Sequence, residues 1–162
     1  MDTDLVARLA EVERRLALLE GATPDAEPHA GGDGQDPGWV HYRGEVALHG
    51  EVTWEVSLDA KTAVDLADEP RVAVLAALGH PARARIVEAL LVSGPSGTTA
   101  LQEAAGLAST GQLYHHLRAL THCGLVDQDG RGSYRMAPRT VVPALVLLTA
   151  AADVAGQLRG LT

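Results

Sequence analysis

Residues 98–138 read TTALQEAAGLASTGQLYHHLRALTHCGLVDQDGRGSYRMAP, and the changes of pattern within them decide the fold. Thr98 or Thr99 caps a short helix that runs to Ala105, and Gly106 ends it. Ser109 or Thr110 starts a second helix over 109–123. Its Leu113, Leu117 and Leu120 recur at i, i+4 and i+7 and face inward, and Gly124 stops it. Leu125-Val126-Asp127-Gln128 and Ser133-Tyr134-Arg135-Met136 then form two short strands around Asp129-Gly130-Arg131-Gly132.

Upstream, Pro70 opens a helix through Leu78. His80-Pro81 starts another, with Ile86, Val87, Leu90 and Leu91 as its buried stripe, and Ser93-Gly94-Pro95 stops it. Downstream, residues 140–159 form a last helix rich in Val, Leu and Ala. Pro143 falls in its first turn, where no helical N–H is required. Helix, short helix, glycine-containing turn, longer helix and tight hairpin are the order of a winged helix-turn-helix, here over 66–160. The expected class is mainly α with a small β component (α+β).

Three segments precede this domain. In residues 1–20, Leu5, Leu9, Val12, Leu16 and Leu19 are spaced 4, 3, 4, 3. Leu9 and Leu16 take a positions of a heptad, and Leu5, Val12 and Leu19 take d. Arg8 and Arg15 fall at g, Glu13 and Glu20 at e, so a parallel pair forms Arg8–Glu13 and Arg15–Glu20 bridges between chains. A helix this short is marginal alone and is expected to add to a larger dimer interface. Residues 21–38, GATPDAEPHAGGDGQDPG, have the composition of a flexible linker.

Residues 39–58 form a β-hairpin. Val40, Tyr42, Val46, Leu48, Val52, Trp54, Val56 and Leu58 are all even-numbered, which is the period of a strand. A two-residue turn at His49-Gly50 scrambles the faces. A three-residue loop at 48–50 pairs Val46 with Val52, Tyr42 with Val56 and Val40 with Leu58, and uses Gly50 for a left-handed residue. Arg43 then faces Glu55 as a cross-strand charge pair, and Gly44 faces Trp54, whose ring covers it. An isolated hairpin is marginal in water, so its apolar face must dock on something.

Composition limits the remaining choices. The 162 residues, 46% hydrophobic, suffice for one or two small cores. The net charge of −8 is unevenly placed: residues 1–70 hold 16 acids and 5 bases, residues 71–162 hold 5 acids and 8 bases. The second half is therefore the one suited to a polyanion. One cysteine excludes an internal disulfide and a Cys-only metal cage. No apolar run reaches membrane-spanning length, and the acidic start lacks the basic region of a secretion signal. A soluble, cytoplasmic, nucleoid-associated protein with no membrane partner is expected. No Walker loop, G-x-S-x-G, H-E-x-x-H or C-x-x-C occurs, so no enzyme is expected and no cofactor.

LAALGHPARARIVEALL at 75–91, followed by the quoted 98–138, closely resembles the ArsR/SmtB-like family of bacterial regulators over roughly residues 72–158. LGHPARARIVEAL is similar to that family's opening helix, and YHHLRALTHCGLV to its recognition helix and wing entry. The resemblance implies a dimeric transcription regulator whose first and last helices pair across a two-fold axis, with Leu145 and Leu148 in that interface. The heptad helix and hairpin look like extensions of actinobacterial members. The resemblance also implies a structural role for His116. Many members sense metal through a Cys-containing motif, but the matching TTALQEAAG holds no Cys, His or Asp, and the last helix holds one Asp and no His. No metal site is expected.

With Leu113, Leu117 and Leu120 inward, Gly111, His115, Arg118 and His122 fall on the opposite face, at about 100° per residue. Gln112 and Tyr114 lie on the flanks. Ser109, Thr110 and Gln112 stand at the end that enters the major groove in this motif. Gln112 suits adenine, Arg118 guanine or phosphate, Tyr114 a phosphate, and Gly111 permits close approach. Arg131, on the wing at 129–133, suits phosphate or the minor groove. Arg83 and Arg85 are even candidates for phosphate contact or internal pairing. The expected partners are double-stranded DNA with a palindromic operator and a second copy of the chain, with a small-molecule or protein effector left open. The alternatives are a winged-helix protein-interaction module whose acidic first half contacts a partner, which the net charge of −8 slightly favours, and a ligand-responsive regulator with an effector pocket.

Overall fold

The computed structural model describes residues 38–160, which lie in one compact unit, Gly38–Thr162. The heptad positions Leu5, Leu9, Val12, Leu16 and Leu19 and the linker at 21–37 lie outside the described residues. Strands β1 (Trp39–Val46) and β2 (Val52–Asp59) form the hairpin, and helix α1 (Ala60–Asp65) follows without a break. Then come α2 (Asp68–Leu78), α3 (Pro81–Ser93), β3 (Ser96–Gly97), α4 (Thr98–Ala104), α5 (Thr110–His122), β4 (Val126–Gln128), β5 (Ser133–Met136), a 3₁₀ turn (Pro138–Thr140) and α6 (Val141–Val154).

The hairpin has the expected antiparallel register, with Val46 opposite Val52, Tyr42 opposite Val56 and Val40 opposite Leu58. The ladder stops at the first of these pairs, so five residues, 47–51, separate the strands instead of three. Gly50 takes φ +130°, the region expected to require glycine. One side-chain expectation fails. Arg43 and Glu55 are backbone partners, but Glu55 pairs with His41 at 3.7 Å, while Arg43 pairs with Glu45 on its own strand. The exposed side chains have several partners within reach, and register alone does not choose among them. Gly44 faces Trp54 across the ladder as expected and also lies against Val142 of α6, against which β1 packs.

Helix α1 has no clear signal in the sequence. The Asp59 carboxylate caps it by accepting from Thr62 N at 2.8 Å, and Arg71 reaches back to the carbonyls of Ala63 and Val64. Hydrogen bonds from the Thr62 side chain and then its backbone N–H favour the ionised carboxylate and hold Asp59 below its ordinary pKa of 3.8.

The core lies among α3, α4, α5 and the sheet. Ile86, Val87, Leu90, Leu101, Leu113, Leu117, Leu120, Val126 and Val142 are buried almost completely. The sheet has three strands in the order β3–β5–β4, where the sequence suggested two. Ser96-Gly97 adds the third edge by pairing with Tyr134 and Ser133. Several ends also differ from expectation: α2 begins at Asp68, ahead of Pro70, and α4 ends at Ala104 instead of Ala105. Strand β4 begins at Val126, not Leu125, and α6 ends at Val154. Gly97 is the N-cap residue of α4, and neither Thr98 nor Thr99 supplies a side-chain cap.

Candidate nucleic-acid interface

Helix α5 is built as an amphipathic rod. Leu113, Leu117 and Leu120 bury one side, each contributing roughly 1.5–3 kcal/mol before entropy is counted. Its start is set by Ser109, whose Oγ accepts from Gln112 N at 3.3 Å. Thr110 donates its hydroxyl to Gln102 Oε1 at 3.1 Å, and Gln102 Nε2 donates to the Leu107 carbonyl at 3.2 Å. Gln102 thus ties α4 to the turn and to α5, a positioning role that its place in TTALQEAAG does not reveal. Gly106, at φ +64°, makes the turn between the two helices.

Ser109, Thr110, Gly111, Gln112, Tyr114, His115 and Arg118 are all exposed, on the side of α5 away from the leucines or at its start. Ser109 and Thr110 have hydroxyls engaged in the turn, which leaves Gln112, Tyr114, His115 and Arg118 as the outward polar row. A β-carbon on Gly111 meets nothing closer than Ser109 Oγ at 3.9 Å, so the backbone there is open to an approaching surface. Between α5 and the wing runs a groove lined by Tyr114, Arg118, Thr121, Asp127, Gln128 and Tyr134. Burial, followed by the neighbouring Tyr114, pushes the Tyr134 hydroxyl above its ordinary pKa.

At the wing, Gly130 and Gly132 both take positive φ, and Arg131 is exposed between them. Arg135 pairs with Asp129 at 3.5 Å across the turn. Among the described residues neither Arg131 nor Arg118 is paired with a carboxylate, so both keep their charge for an outside partner. Arg83 has a different task. Its guanidinium donates to the carbonyls of Ala77 at 2.6 Å and Ala76 at 2.7 Å, closing the C-terminus of α2. This takes Arg83 out of the phosphate candidates, while Arg85 is exposed.

His116 sits on the buried side of α5. Its ring lies 4.5 Å from that of His80, whose Nδ1 caps α3 through Ala82 N, and His115 flanks it at 5.6 Å. Burial holds His116 below its ordinary pKa of 6.5, and the charges of His80, Arg83 and His115 push the same way. Its Nδ1 is buried with no hydrogen-bond partner among the described residues. Cys123 is half-buried and directs its thiol to the Leu120 carbonyl. Among the described residues no three His, Cys, Asp or Glu side chains converge on one point, and no helix is long and apolar enough to cross a membrane.

Residues 78–129 match a protein family described as a helix-turn-helix domain. No curated protein matches the chain. Several solved structures do. The homodimeric winged helix-turn-helix DNA-binding domain of Mb0332 from Mycobacterium bovis, described as a possible ArsR-family transcriptional regulator, is 27% identical. That match covers 59% of this chain and 87% of the other, with a TM-score of 0.46. NolR from Sinorhizobium fredii is 24% identical over 61% and 95% of the two chains, with a TM-score of 0.46. HlyU from Vibrio cholerae is 23% identical over 58% and 97%, with a TM-score of 0.44. The match and the fold agree: the chain carries a helix-turn-helix domain at 78–129, followed by the β4–β5 hairpin as a wing.

Proposed function

We propose that the protein is a homodimeric, sequence-specific DNA-binding transcription regulator that reads a palindromic operator through α5 and a short wing. The outward row Gln112, Tyr114, His115 and Arg118, set opposite three buried leucines on a helix-turn-helix, carries this reading. In the reading, Gln112 and His115 meet base edges, Arg118 meets guanine or phosphate, and Tyr114 meets phosphate. Ser109 and Thr110 set the helix start against the backbone, Gly111 lets it enter, and Arg131 holds a flanking phosphate.

The dimer is supported by apolar surface on α2, where Val72 and Leu75 are each 54% exposed one helical turn apart. Leu145 and Leu148 of α6 are half-buried against the core and complete the same interface in this reading. Leu5, Leu9, Val12, Leu16 and Leu19 add a parallel heptad pair to it.

A mobility-shift assay on DNA upstream of the protein's own gene, with a salt titration, tests the proposal. Binding with sequence preference and a steep salt slope supports it. Absence of binding at low salt overturns it and favours a protein-interaction module.

A further inference from the structure

Beneath the 47–51 loop of the hairpin lies a cavity of about 180 Å³, partly open to solvent. It is lined by Leu48 and Val52 of the hairpin, Leu90 and Leu91 of α3, and Met136 and Val141. An enclosed apolar cavity of about 150 Å³ takes a molecule the size of benzene, so the space here suffices for one small ring. His49 ties the loop to the end of α3. His49 Nε2 donates to the Val92 carbonyl at 2.9 Å, and the ring packs against Gly94, itself at φ +74°.

The wall contains two titratable residues, His49 and Arg135, and no acid. His49 spends its Nε2 on the backbone. The Arg135 guanidinium carries five donors, and its contact to Asp129 at 3.5 Å is longer than a charge-assisted hydrogen bond, which leaves donors for a further acceptor. No acid lines the cavity itself; Asp129, 3.5 Å from the guanidinium, and the cross-strand Asp127 stand off the wall, so a carboxylate inside would share Arg135 with them, whereas an amine would meet only a cation.

We propose that this cavity is a binding site for small apolar carboxylates of about the size of benzoate, with the hydrocarbon under Leu48 and Val52 and the carboxylate met by Arg135. The site is distinct from α5, and its existence does not depend on whether the chain binds DNA.

The test is an amide NMR titration of the full chain with sodium benzoate and, separately, with toluene, its uncharged counterpart. Both are expected to shift amides within 48–52, 90–94 and 135–141, saturably, with benzoate the tighter. Arg135→Met is expected to weaken benzoate roughly tenfold, the scale of one charged hydrogen bond, and to leave toluene unaffected. Val52→Phe, which fills the cavity, abolishes both. Should that variant fail to fold, Arg135→Met still decides. Shifts that map elsewhere or never saturate overturn the site. Toluene binding without benzoate binding, or benzoate binding indifferent to Arg135→Met, overturns the carboxylate.

Discussion

Val142 stands so close over Gly44 that a β-carbon there would lie 2.5 Å from Val142 Cγ1. The hairpin and the last helix meet at this point, and the absence of a side chain on β1 sets their separation. Val142 is only 1% exposed and, being β-branched, has little freedom to turn away. Gly44→Ala is therefore expected to destabilise the protein by about 1–3 kcal/mol, the range of overpacking in a tight core. Denaturant unfolding measures this, and Gly44→Ala combined with Val142→Ala is expected to recover part of the loss.

Gly111 presents the opposite situation. It is in the first turn of α5 with open space where a β-carbon would go. Gly111→Ala is expected to raise thermal stability, by up to about 1 kcal/mol from helix propensity. The same variant is expected to weaken operator binding if α5 enters the groove as proposed. Melting and DNA affinity moving in opposite directions is the signature, and unchanged DNA affinity counts against the docking.

Gln112 and Arg131 separate reading from positioning. Gln112→Ala is expected to relax preference at one base pair of each half-site by about 1–3 kcal/mol. Arg131→Ala is expected to weaken all sequences alike and to flatten the salt slope by about one unit per wing. The two half-sites should lie roughly 34 Å apart, one turn of DNA, or a multiple of that. Affinities for single-base operator variants check both substitutions. Equal losses on every sequence for both would exclude α5 as the reader.

His116 gives a pH dependence with a definite sign. Its folded-state pKa is depressed below 6.5 by burial and by neighbouring positive charge. The unfolded chain therefore takes up the proton first as pH falls, and unfolding is favoured. The stability that neutral His116 provides is complete above about 6.5 and is lost below it, down to the lower folded pKa. Asp59 acts in a separate window, under 3.8, where its cap on α1 is lost on protonation. Melting temperatures across pH 7.5 to 5 are expected to fall, and His116→Gln is expected to flatten that decline.

Arg83 closes α2 through the carbonyls of Ala76 and Ala77. Arg83→Met keeps much of the apolar stem and removes the donors. A loss of about 1.5–3 kcal/mol is expected, on the scale of hydrogen bonds to a charged group. A loss confined to DNA affinity would return Arg83 to the phosphate candidates.

The sequence by itself determined what depends on short-range periodicity. Leu113, Leu117 and Leu120 could share one side of α5 only as a helix, and the even-numbered apolar residues of 40–58 allowed one hairpin register. Gly106, Gly124 and Gly50 marked backbone that other residues resist, and all three take positive φ. The tertiary structure decided what depends on residues far apart in the chain. It put Val142 on Gly44, His49 on the Val92 carbonyl, and Ser96-Gly97 beside β5 as a third strand. It also sent Arg83 to the end of α2, Glu55 to His41 and Arg43 to Glu45. Periodicity reports which face of an element avoids water, because burial rewards any apolar partner. It does not report which partner, because that depends on the distance between elements and on the rotamers that distance permits.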